Sequence, residues 1–435
     1  MSLSKIVLGL LAFGGLALAF AAPMRAEKAA APEWNQFRGP NRDGISPEKG
    51  LLGKWESAPP LAWETSGLGQ GFSSVAISGD IIVTMGGASG EQKLIGLSRS
   101  EKGRQLWATK VGREPGGGGY PGPRCTPTID GDFVYAVGSA GDIVCCHLSD
   151  GSEVWRRNFE RDFGGKMMSG WGFSESPLVD GDWVLCTPGS ANAMIVALNK
   201  STGETVWKSA VPKTGSDPKG NEGAGYSSIV ISNGAGVKQY VTTVGFGCIG
   251  VRASDGRHLW TYNAIANGVA NIPTPICDGD FVFASTGYGT GSGLIQLKKA
   301  GNGVRFEQKY FLDDKVFQNH HGGIVKIGDY LYAGHGHNNG FPICVQMKTG
   351  KIVWGGRQRG PGKESATLIA ADGKLIFRYQ DGVIALVEAT PKKYNLLGKF
   401  EIATSGPSWS LPVASEGQLL LREQDKLFVY DIKAN

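Results

Sequence analysis

Ala197-Leu198-Asn199-Lys200-Ser201-Thr202-Gly203-Glu204-Thr205-Val206-Trp207 decides the fold. An apolar run ends at Leu198, polar residues and a glycine turn the chain, and a second short strand rises to a tryptophan. The second half of this element recurs at Gly103…Trp107, Gly151…Trp155, Gly256…Trp260 and Gly350…Trp354. Successive tryptophans, with Trp207 in its place, stand 48, 52, 53 and 94 residues apart, and the last interval is twice 47. A copy whose tryptophan is replaced therefore falls near Arg305-Phe306-Glu307, and another degenerate copy ends near Gly398-Lys399-Phe400. Trp63 has the same neighbourhood and completes a ring.

Upstream of each such element lies an aliphatic strand, a tight turn and a second aliphatic strand, first as Val75-Ala76-Ile77-Ser78-Gly79-Asp80-Ile81-Ile82-Val83. Equivalent turns are Gly131-Asp132, Gly181-Asp182, Asn233-Gly234, Gly279-Asp280, Gly328-Asp329, Asp372-Gly373 and Glu416-Gly417. Glycine with Asp or Asn supplies the positive φ that two-residue hairpins need. Flanking alternation of β-branched and aromatic residues marks strands. Four short strands per repeat, eight times over, predict an all-β fold: one eight-bladed β-propeller. A lone blade cannot bury both faces, so the blades pack side by side and a closed ring leaves no bare end. Trp63 precedes the first hairpin and Leu427-Phe428-Val429-Tyr430-Asp431 follows the last, so the N-terminal strand is expected to complete the final blade. The recurring tryptophan is expected in the outermost strand, wedged on the adjacent blade.

The Ala-Leu-x-x-x-Thr-Gly-x-x-x-Trp element resembles the hallmark of the pyrroloquinoline-quinone (PQQ) repeat superfamily. That superfamily includes quinoprotein alcohol dehydrogenases and the propeller lipoprotein of the outer-membrane barrel assembly machinery. Trp34-Asn35-Gln36-Phe37-Arg38-Gly39-Pro40-Asn41-Arg42-Asp43-Gly44 is also similar to secreted PQQ-like propeller proteins of planctomycete-type bacteria. The resemblance covers about nine-tenths of the chain and implies the fold strongly, whereas one scaffold hosts unrelated activities.

Composition agrees with a repeat protein. The 435 residues include 67 glycines, about twice the usual share of roughly 7%. The net charge of +5 is spread along the chain, which excludes the clustered basic face that nucleic-acid binding needs. Residues 1–26 read as a signal peptide: Lys5, an apolar run from Ile6 to Phe20, then small residues with Ala-x-Ala cleavage patterns. Fifteen apolar residues are short for a span of about 20. The mature protein is thus expected to be exported, periplasmic or secreted, with no stable membrane span. Residues 27–60 form an extended arm and 61–435 the propeller. Seven cysteines, an odd number, show no metal-type spacing and sit mostly in strand-like runs, as buried small hydrophobes do.

Loops that enter each innermost strand share one face with the loops between second and third strands, and together they line a central funnel. The candidate ligand-binding residues on that face are Tyr120 and Arg124, then Trp171 and Glu175, then Tyr226, Asn271, Asn319, His320, His321, Lys363 and Trp409. Four of six histidines fall in the sixth repeat: His320, His321, His335 and His337, with Asn338 following. In an extended segment His335 and His337 point to one side, while only one of His320 and His321 can join them. His335, His337 and His321 could bind Zn²⁺ or Cu²⁺, contact a ligand directly, or tie loops to backbone groups. Arg378-Tyr379-Gln380-Asp381 matches Arg422-Glu423-Gln424-Asp425. Arg378 and Arg422 could form carboxylate or phosphate forks or make buried Arg–Asp pairs between blades.

The resemblance implies PQQ with Ca²⁺ as a possible cofactor. Quinoprotein dehydrogenases of the superfamily carry a vicinal disulfide above it. Here Cys145-Cys146 falls in a third-strand position, away from the funnel, and no calcium set of Glu, Asn and Asp can be placed. The expected function is an exported binding scaffold, taking a small polar ligand or a protein partner at the funnel. The alternative is a PQQ-dependent oxidoreductase. A barrel-assembly subunit would require a lipid-anchor cysteine, and none precedes Cys125.

Overall fold

A computed structural model describes residues 33–115, 119–213 and 218–434. Residues 1–26, expected to be a signal peptide, the start of the arm and residues 116–118 of the glycine-rich loop lie outside the described residues. Eight blades of four antiparallel strands follow one another along the chain, and the seventh gains a short fifth strand from the arm. Blade 1 runs outward as Ala76–Ser78, Ile81–Ala88, Glu91–Ser98 and Arg104–Arg113. The last blade contains Val413–Ser415, Gln418–Glu423 and Lys426–Asp431, and its fourth strand is Leu61–Thr65 from the beginning of the chain. Trp63 lies opposite Val429 and Thr65 opposite Leu427. The N-terminal strand thus latches the ring.

The turns between first and second strands follow the sequence. Gly79, Gly131, Gly181, Gly279 and Gly328 have φ between 54° and 63°, and Asp372 and Gly373 are both positive. Blade 4 departs from the pattern: Asn233 leads into a 3₁₀ turn at Gly234–Gly236, and the second strand starts only at Gln239. The connection from Asn233 to Lys238 is six residues long instead of two, so no two-residue hairpin forms there.

The glycine–tryptophan spacing has a packing cause. Trp107 Nε1 donates to Leu148 O at 3.0 Å, and Trp155 Nε1 donates to Lys200 O at 2.9 Å, each reaching the next blade. Three residues past each acceptor stands a glycine with left-handed φ, Gly151 or Gly203. A Cβ on either would lie 2.5 or 2.7 Å from the tryptophan ring of the preceding blade. In blade 5 this role falls to Tyr310, not Phe306: its hydroxyl donates to Met347 O, and Gly350 packs on its ring.

The arm does more than lead into the ring, because it threads the axis. Trp34 O accepts from Ile77 N of blade 1, and Asn35 exchanges bonds with Ile129 of blade 2. Arg42 donates to Ser176 O and Pro177 O at the start of blade 3, and Arg38 donates to Ile324 O beside blade 6. Ile45–Ser46 pairs in parallel with the innermost strand of blade 7, and Ser46 Oγ donates to Ala414 O of blade 8. Interior carbonyls of innermost strands, which a bare channel would leave unpaired, are thereby satisfied. No helix among the described residues is long and apolar enough to cross a membrane.

Candidate functional site

A cavity of about 380 Å³ opens on the face formed by the entering loops and the second-to-third-strand loops. Phe37 and Arg38 of the arm line it from within the axis, so the funnel is floored by chain rather than running through. Tyr120, Arg124, Trp171, Tyr226, His320, His321, His337, Asn338 and Trp409 all line it, as the sequence placed them. Phe37, Arg38, Phe72, Ile272, Tyr288 and Gln380 line it too. The first two were hidden because an arm outside the repeats has no period to place it. Tyr288 sits in a glycine-rich hairpin whose purpose is local: Gly293 leaves room for the Tyr262 hydroxyl, which a Cβ would meet at 2.0 Å.

Trp409 anchors one wall. Its ring is 4.8 Å from Phe72, 4.8 Å from Tyr120 and 4.4 Å from His321, and its Nε1 donates to Gln380 Oε1 at 2.6 Å. Arg124 lies over Phe72 at 5.3 Å and donates to the carbonyls of Tyr120 and Gly122. Across the cavity Trp171 meets Tyr226 edge-on at 5.9 Å.

The histidines correct the alternation argument. His320 and His321 both join His337: the ring centroids of His320 lie 3.9 Å from each of the other two. Their segment is a loop ending in Gly322 and Gly323, both at positive φ, so strand alternation does not apply. His335 ends its strand, then Gly336 and His337 take left-handed φ of 88° and 52°. That bend sends His335 away from His337: it is buried near Phe317 and Phe341, and its Nδ1 accepts from Gln318 N at 3.1 Å. The trio His335, His337 and His321 therefore does not assemble, and no group of three His, Cys, Asp or Glu among the described residues is placed to hold a metal.

Hydrogen bonds fix the tautomers. Ser365 Oγ donates to Asn338 Oδ1, so it accepts from His320 Nδ1–H at 2.6 Å. His320 Nε2 is then an acceptor for the Tyr288 hydroxyl at 3.1 Å. His337 Nδ1 accepts from Tyr288 N, which leaves its proton on Nε2. Burial, and then the neighbouring imidazoles, hold His320 well below the usual histidine range; burial, then His337 and the Arg124 charge, push His321 down to about 3. All three are neutral at physiological pH. Tyr288 and His337, in contact, both have left-handed φ without being glycine. Such strain costs about 1–3 kcal/mol per residue and gathers at functional sites.

The other candidates are drawn into the scaffold. Asn271 donates to Val244 O and Gly245 O, and Asn319 donates to Gly334 O while accepting from Gly322 N. Lys363 is exposed and contributes its backbone N–H to Asp381. Glu175 is buried with one oxygen on Thr187 N and the other unpartnered, and burial raises its carboxyl to about 7. Arg378 and Arg422 tie blades together rather than facing the cavity. Arg378 pairs with Glu423 at 2.6 Å and reaches Ser408 and Ser410 of the next entering loop. Arg422 reaches Leu68 O and Gly69 O in the same manner. The acid partner is Glu423 rather than either matched aspartate. Cys145 and Cys146 lie in the third strand of blade 2, Asp142–His147, and all seven cysteines are free thiols.

The pattern of the family described as outer membrane protein assembly factor BamB, PQQ_2, matches residues 90–356. No curated protein matches the sequence. Among solved structures, BamB from Moraxella catarrhalis is 13% identical with a TM-score of 0.59, covering 86% of this chain and 98% of its own. Quinohemoprotein alcohol dehydrogenase ADHIIG from Pseudomonas putida HK5 is 10% identical at a TM-score of 0.63, covering 93% and 81%. The quinohemoprotein alcohol dehydrogenase from Comamonas testosteroni is 12% identical at 0.63, covering 94% and 82%. At these identities the likeness is one of fold.

Proposed function

The chain belongs to the PQQ-repeat family described as outer membrane protein assembly factor BamB, and from that premise we propose that it is an exported binding protein whose funnel takes a small ring-bearing polar ligand. One observation carries the reading: a floored cavity of about 380 Å³, inside the usual range of roughly 300–1,000 Å³ for ligand sites, walled by Trp171, Tyr226, Tyr288, Phe72 and Trp409. Flat rings stack on such walls, and the neutral imidazoles and hydroxyls among them orient polar substituents. The rim of the same funnel is where a protein partner would dock. Screening small ring compounds by quenching of intrinsic tryptophan fluorescence tests this. Saturable quenching that Trp409→Ala weakens at least about tenfold, from loss of roughly 1.5 kcal/mol of stacking, is expected. Absence of saturable quenching by every compound class contradicts it.

A PQQ-dependent oxidoreductase is the second reading, favoured by the planar aromatic walls and by Arg38 and Arg124, which suit an acidic quinone. The calcium partner does not fit the residues present. No Asp or Glu among the described residues lines the cavity, and Glu175 is turned toward Thr187. PQQ and Ca²⁺ added to the protein, with dye reduction by simple alcohols as readout, decides between the two: turnover supports the oxidoreductase.

A further inference from the structure

Resting on the funnel reading and narrowing it, we propose that the cavity takes aromatic carboxylates, the ring lying between the aromatic walls and the carboxylate meeting the guanidiniums of Arg38 and Arg124. The argument starts from charge. Arg38 and Arg124 line the cavity, and no acidic side chain among the described residues does. Nor does either arginine form an ion pair with a described residue. Their bonds go to carbonyls: Arg38 to Asp43 O and Ile324 O, Arg124 to Tyr120 O and Gly122 O.

Carbonyls satisfy N–H groups without cancelling charge. The nearest carboxylates act on them only through space, Asp43 on Arg38 and Glu114 on Arg124, while their oxygens bond to Ile45 N and to Gln92 and Gly122 N, not to the guanidiniums. Arg38 is 2% exposed and its Nε has no partner. Burial pulls its pKa down only to about 10, so the charge persists at neutral pH. A buried guanidinium with no carboxylate in ion-pair contact is costly, and an anion entering the funnel would offset that cost. His337 adds an Nε2–H donor, while the Tyr288 hydroxyl spends its proton on His320. The cavity thus offers cationic groups and donors, which select against cations.

Shape supplies the rest. A floored cavity of this volume takes compounds of one or two rings. A carboxylate matches the planar fork of a guanidinium. The floor residue that fixes this charge comes from the N-terminal arm, so the arm is part of the binding site as well as a plug.

The test titrates the full mature protein with benzoate, benzamide, benzylamine and inorganic phosphate, following tryptophan fluorescence. Benzoate is expected to bind at least about tenfold tighter than its neutral isostere benzamide, the worth of a hydrogen bond to a charged group, with benzylamine and phosphate binding least. Arg124→Gln, at the partly buried rim and with its fold checked by circular dichroism, is expected to bring benzoate and benzamide within about twofold of each other. Arg38→Gln should do the same if it folds, as circular dichroism will tell. Equal affinity for benzoate and benzamide overturns the charge assignment and leaves the funnel reading standing. Phosphate competing as well as benzoate overturns the ring assignment. No saturable response to any of the four overturns both.

Discussion

Trp63→Ala removes the wedge at the seam where the first strand closes the ring. Trp63 is buried on the latch strand opposite Val429. Gly103 of blade 1 packs so tightly on its ring that a Cβ there would lie 2.9 Å from Cζ3. A tryptophan buries about 150–250 Å², which at about 25 cal/mol per Å² sets a ceiling near 4–6 kcal/mol. Alanine keeps part of that area and the seam relaxes, so the expected loss is about 3–5 kcal/mol. The seam retains Arg99, bound to Ser415 O, Glu416 and Gln418, so the ring should stay assembled but open more often. Equilibrium urea unfolding gives the loss, and hydrogen exchange should quicken first at Lys426–Asp431, the strand that Leu61–Thr65 covers. A loss below about 1 kcal/mol with unchanged exchange there would refute closure by this strand.

Gly256→Ala puts a Cβ 2.3 Å from the Trp207 ring at a φ of +71°; a loss of at least about 1–3 kcal/mol in urea unfolding is expected. Arg378→Met strands the buried Glu423 carboxylate and should cost about 3–5 kcal/mol, with Glu423→Leu in the same chain recovering most of it. Glu175 has its pKa raised from 4.5 to about 7 by burial. The folded protein therefore holds a proton that the unfolded chain has lost between those values, and stability from this group declines as pH rises from about 4.5 to 7. Glu175→Gln keeps the acceptor for Thr187 N and removes the penalty, so at pH 8 it should be more stable than the parent by up to about 3 kcal/mol, shrinking toward zero near pH 4.5. Thermal unfolding across pH checks the crossover.

Repetition made the architecture readable before any coordinates. Turn glycines, the glycine–tryptophan spacing and an unpaired first strand each follow from backbone geometry or ring packing that must recur in every blade. What recurs approximately was read approximately: Tyr310 rather than Phe306 fills the wedge of blade 5, because its hydroxyl reaches the same turn carbonyl. Blade 4 lengthened its turn to six residues and broke the two-residue rule. At the funnel, loop position was legible and side-chain direction was not. Period-two reasoning failed at His335 and His337 because Gly336 and His337 leave the extended region. Asn271, Asn319, Arg378 and Arg422 look like ligand groups by type, yet each satisfies carbonyls that the crowded inner ring would otherwise leave bare. Arg38 and Phe37 could not be placed by any period, since only the folded path brings residues 34–46 through the axis.

The central claim is that a chemically selective pocket exists at the mouth of the closed ring. A crystal structure of the protein soaked with benzoate tests it most directly. The account predicts density for the ring beside Trp409, with the carboxylate within hydrogen-bonding distance of Arg38 or Arg124. Benzoate bound on the opposite face or on the blade edges, with the funnel filled by water alone, would contradict it.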